Sequence, residues 1–70
     1  MMPLGMASVG ETNLIRKIAG RDDVRQHLAE LGFVVGESVT VVSVLGGSMI
    51  LSVKDSRVAI DHAMAMRIMV

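Results

Sequence analysis

His27 and His62 are the only imidazoles in this 70-residue chain, and there is no cysteine. Metal binding by either histidine needs a third or fourth ligand in suitable geometry. One candidate set joins His27 or His62 to Asp61 or Asp55, but the spacing is not that of a ligand set. The expectation is two half-buried or exposed histidines and no metal centre. Met64, Met66 and Met69 resemble a methionine-rich metal stretch. Thioethers are soft ligands that suit Cu(I). With Phe33 as the one aromatic, methionine is the expected gap-filler of the core. Strand alternation would leave some of these thioethers on the surface as adaptable contact residues.

Gly46-Gly47-Ser48 lacks the Lys-Ser/Thr ending and following helix of a phosphate loop, and reads as a hairpin turn. The six serines have no patterned histidine and carboxylate partners. A chain of this length also has little room for a water-excluding pocket. No catalytic set and no cofactor are expected.

The elements that carry these residues follow from periodicity. Val24, Leu28 and Leu31 fall at i, i+4 and i+7, one stripe of a helix. The helix is expected over about residues 23–31, with Asp22 or Asp23 as N-cap and Asp23–Gln26 as a variant capping box. Gly32 then stands where a left-handed stop is made, which sets Phe33 against Leu28 in a Schellman contact. Gly36 permits a second change of direction. Upstream, Leu4 is the expected first core contact, and Asn13–Ala19 reads as a strand closed by Gly20.

Downstream, Glu37–Leu45 is valine-rich and strand-like. Met49, Leu51 and Val53 alternate toward a core, and Asp55-Ser56 reads as a tight turn. Val58 and Ile60 alternate again. Asp61 is placed to cap a helical turn near residues 62–64, and Ile68 and Val70 form one face of a last strand. Five or six short strands and one helix predict a mostly β fold, a small bent sheet closed into a barrel.

Composition narrows the functional classes. The chain is 51% hydrophobic with seven methionines, and its seven basic and seven acidic side chains cancel. Zero net charge without a basic cluster argues against unaided nucleic-acid binding, which rests on phosphate neutralisation. The apolar start carries no positive n-region and is broken by Pro3, Gly5 and Gly10, so neither a signal peptide nor a membrane span is expected. A cytoplasmic protein of one domain over residues 1–70 is the resulting expectation.

Leu31-Gly32-Phe33 followed by Gly36 resembles the signature of FeoA proteins. Gly10-Glu11 before the first strand, Gly20 before the helix, Val58-Ala59-Ile60 with Ala63 beyond, and the apolar end Ile68-Met69-Val70 extend the resemblance over nearly the whole chain. It implies an SH3-like β-barrel with a helix inserted after the first strand. It also implies a non-enzymatic accessory protein of bacterial ferrous-iron uptake whose partner is FeoB, the membrane transporter with a cytoplasmic G-protein domain. This chain has Val35 where the family commonly has proline, and His27 where a basic residue is frequent.

On that reading the partner surface is the helix end and its loop, with Arg25, Leu31, Phe33 and Val35 as contact residues. Core roles for Leu31 and Phe33 are the competing expectation. The same barrel resembles the C-terminal domain of DtxR-type metal-dependent repressors, which makes a regulatory module one alternative. A small metal carrier using His27 and His62 is the other. Exposed strand edges and the apolar surplus also allow weak self-association.

Overall fold

Apolar residues at every second position make the central strands one-sided. A computed structural model describes residues 1–70. In it β3 spans Ser38–Leu45 and β4 spans Ser48–Val53. Val39 and Val41 of β3 and Met49, Leu51 and Val53 of β4 are all buried, as the alternation predicts. The register between the two strands slips between Val41 and Ser43, leaving Val42 as a bulge. Beyond it the alternation is lost, and Val44 and Leu45 stand exposed.

β5, Ser56–Asp61, returns along β4 through the two-residue turn Lys54-Asp55. Their φ values of 48° and 62° are the left-handed pair of a type I′ hairpin. The turn therefore lies one residue before the expected Asp55-Ser56, and Ser56 pairs with Val53. β1, Thr12–Leu14, joins the other side of β3, so the antiparallel order is β1-β3-β4-β5.

The strand expected across Asn13–Ala19 is split. After Leu14 the chain changes partner: the Ile15 N–H donates to Glu37 O at 2.9 Å, and the Arg16 N–H donates to Met69 O at 2.8 Å. β2, Lys17–Ile18, then pairs with β6, Ile68–Met69, as a second sheet. Met2 and Val70 exchange backbone bonds of 2.8 Å beside it. Ile15 is buried at this corner while Leu14 is half exposed. A corner residue out of phase with its neighbours explains why this stretch fits neither the strand nor the helix period.

α1 spans Asp22–Glu30, shifted by one residue from the expected 23–31. Its N-cap is Arg21, in extended conformation and without a side-chain cap bond, so neither Asp22 nor Asp23 caps it. Both carboxylates lie in the first turn instead, where they oppose the positive end of the helix dipole. The C-terminus makes the Schellman stop. The Phe33 N–H donates to Leu28 O at 3.0 Å and the Gly32 N–H to Ala29 O at 3.0 Å. Gly32 sits at φ +107°, a conformation that side-chain-bearing residues rarely adopt.

Leu28 and Phe33 are fully buried, as is Leu4 from a single 3-10 turn at Leu4–Met6. The core of 14 residues is wholly apolar. Burying each large side chain contributes about 1.5–3 kcal/mol, so the single Phe33 ring is a large share of a small core. α2, His62–Ala65, is one residue longer than the expected turn at 62–64 and is capped by Asp61, whose side chain accepts from the Met64 N–H at 2.8 Å.

Candidate functional site

The Schellman stop turns the chain so that the Phe33 ring enters the core while Val34 and Val35 continue beside α1. The loop is pinned at its far end, where the Gly36 N–H donates to Ile15 O at 2.9 Å and the Glu37 N–H to Val34 O at 3.1 Å. Between this loop, the flank of α1 and β2 lies an open groove of about 200 Å³. Its walls are Arg25 and Ala29 from α1, Ile18 from β2, and Phe33, Val34 and Val35 from the loop.

Three of the four expected contact residues thus line one feature. Arg25 is exposed at its rim. The guanidinium pairs with Asp22 at 3.4 Å across i,i+3, a solvent-exposed bond that contributes little and leaves Arg25 free to exchange partners. Val35 is 64% exposed, high for an unpolarised side chain held on a pinned loop. Phe33 adjoins the groove from beneath but is fully buried, so its side chain acts through packing and offers a partner no surface. Leu31 does not line the groove; it is half-buried and packs against the core.

Ile18, Ala29 and Val34 complete the groove and were not among the expected contact residues. Ala29 was detectable, because it follows Arg25 by four residues and so shares its helix face. Ile18 was not, since it reaches α1 only through the pairing of β2 with β6. A second, larger depression of about 520 Å³ lies among Met1, Met2, Asn13, Leu14, Arg16 and Val70.

The remaining candidates resolve individually. His27 and His62 are both exposed and sit on different helices. The His62 Nε2 lies 3.0 Å from Gly5 O, tying α2 to the 3-10 turn. No group of three or more His, Asp or Glu side chains is arranged to hold a metal ion. Met64, Met66 and Met69 are each half-buried. Met64 packs on the core, and the Met66 sulfur lies so close over Gly5 that a Cβ there would meet it at 2.6 Å. Met64 thus serves as a flexible gap-filler, while Met66 covers Gly5.

The six strands, the inserted helix and the groove beside its end define a small SH3-like barrel. A family model for the FeoA domain matches residues 2–70. The chain belongs to the FeoA family. It is 36% identical over 70 residues to a Methanocaldococcus jannaschii protein provisionally named Fe(2+) transport protein A, covering all of this chain and 85% of that one. Among solved structures, an iron uptake regulatory protein (FeoA) superposes with a TM-score of 0.88 at 30% identity, over 96% of this chain and 89% of that one. The zinc complex of Stenotrophomonas maltophilia FeoA, described as a procaryotic SH3 domain protein, gives 0.83 at 27% identity, over 99% and 88%. A manganese-dependent transcriptional repressor gives 0.86 at 16% identity over 94% of this chain and 38% of its own. That last likeness is one of fold alone, and it bears out the expected sharing of the barrel with repressor domains. No helix here is long and apolar enough to cross a membrane.

Proposed function

We propose that residues 1–70 act as one non-enzymatic domain in the cytoplasm, an accessory factor of ferrous-iron uptake that binds a FeoB-type transporter. Contact is made through the groove beside α1, with Arg25 and Val35 as direct contacts and Leu31 and Phe33 as the packing that holds them. The observation that carries this reading is the convergence of Arg25, Phe33 and Val35 on one open, mostly apolar groove. A depression of about 200 Å³ is too small and open to enclose a substrate, but it fits one or two anchoring side chains of a protein partner. The S. maltophilia protein is discussed as a ferrous iron transport activating factor, which supports a transporter as partner.

Zinc in that relative does not transfer a metal-carrying role to this chain, whose two histidines lack companion ligands. The regulatory alternative has fold likeness behind it and no residue on this surface that favours it. The test is capture of partners by the tagged chain from detergent-solubilised membranes of its source cells. Recovery of a FeoB-like transporter is expected. Recovery of only soluble regulators, with the domain folded, would overturn the reading.

A further inference from the structure

β5 is an edge strand whose outer side has no partner. The bond from the His62 N–H to Gly47 O, at 2.7 Å, sets the phase of the β4–β5 ladder. In an antiparallel ladder hydrogen-bonded pairs alternate with unbonded ones. Ser56, Val58 and Ile60 therefore aim their backbone groups at β4, and Arg57, Ala59 and Asp61 aim theirs away from it. None of these three N–H groups, and neither the Arg57 nor the Ala59 carbonyl, takes part in any hydrogen bond outside the ladder. The Asp61 carbonyl is the N-cap acceptor that opens α2.

The side chains on this edge are also unpartnered. Arg57, Ala59 and Asp61 share the exposed face of β5, while Val58 and Ile60 face the core. Arg57 is in no ion pair. Asp61 uses only its Oδ1, on the Met64 N–H. Besides β4, α2 is the only element that packs substantially on β5, so the outer edge stands open along Arg57–Ala59. Natural edge strands are commonly guarded by charged side chains, proline or bulges. Here the charges have opposite sign and stand symmetrically about Ala59.

We infer that the β5 edge pairs with the β5 edge of a second copy of this chain, antiparallel and centred on Ala59. A two-fold axis through that point sets Ala59 against Ala59 of the other copy and Arg57 against its Asp61, twice over. Four backbone bonds form from groups that are otherwise unengaged: two between the facing Ala59 residues, and one from each Asp61 N–H to the opposite Arg57 carbonyl. Each Arg57 guanidinium meets an Asp61 carboxylate across the strands, and Ala59 is small enough to let the centre close. Val58 lies opposite Ile60 of the second copy and adds apolar contact on the inner face. The result is one continuous eight-stranded sheet across two barrels. The contact is isologous and therefore closes on itself rather than growing into a fibre. It is small by the standards of stable interfaces, so association is expected in the micromolar range or weaker.

Sedimentation velocity over a concentration series, joined to amide hydrogen exchange at low and high concentration, tests this with the intact chain. The expected result is a monomer–dimer equilibrium in which the Ala59 and Asp61 amides gain protection as concentration rises. Arg57→Glu, which places like charges opposite each other at both ends, is expected to raise the dissociation constant about tenfold. Arg57→Lys is expected to stay near the parent. Asp61→Asn keeps the cap on α2 and is expected to weaken the dimer with the amide spectrum of the monomer unchanged. A chain that stays monomeric to about 1 mM, or a dimer in which the Ala59 amide exchanges freely, would overturn the inference.

Discussion

The Phe33 N–H reaches back 3.0 Å to the carbonyl of Leu28, and both side chains are completely buried. This one relationship ends the helix, places the only aromatic ring in the core and sends Val34 and Val35 along the flank of α1. The candidate site is thus a by-product of how the helix stops.

Gly32→Ala tests that stop. The φ of +107° imposes strain, whereas the added Cβ would make ordinary contact with Val53 at 3.4 Å. A loss of about 1–2 kcal/mol is expected from backbone strain alone. Urea unfolding measures it; an unchanged midpoint would mean that the turn relaxes freely.

Phe33 and Val35 are expected to separate folding from binding. Phe33→Ala opens a cavity in the core beneath the groove and should cost about 3–5 kcal/mol, comparable to the whole stability of a domain this small. Val35→Ala, at a 64% exposed position, should shift stability by no more than about 0.5 kcal/mol. Only the second variant should keep a native amide spectrum while losing affinity for the proposed transporter partner.

Asp61→Ala removes the bond to the Met64 N–H and should cost about 1 kcal/mol. Asp61→Asn retains an acceptor oxygen and should recover most of that loss. Equal destabilisation by the two substitutions would show that the cap contributes through charge rather than through the hydrogen bond.

Local chemistry was readable wherever a residue's role depends on near neighbours. Leu31-Gly32-Phe33 announced the helix stop, Asp61 announced the cap of α2, and Met49, Leu51 and Val53 announced the buried face of β4. Roles that depend on distant partners were not readable. The break between β1 and β2 arises because Ile15 bonds to Glu37 while Arg16 bonds to Met69, a choice made by the tertiary fold. The Val42 bulge likewise belongs to the β3–β4 register. At the start of α1, two adjacent aspartates looked like caps, but Arg21 holds that position and the acids serve the dipole. For the groove, the expected residues Arg25, Phe33 and Val35 came together, while Leu31, one position before the glycine, turned toward the core.

The most direct test of the central claim is the affinity of purified Arg25→Glu for the detergent-solubilised FeoB-type transporter, measured beside its thermal midpoint. Arg25 is exposed, and its only pair is the weak one with Asp22. The variant should therefore lose no more than about 0.5 kcal/mol of stability. The account predicts a dissociation constant raised about tenfold with the midpoint nearly unmoved. Unchanged affinity in the folded variant would contradict it and place the transporter contact on another face.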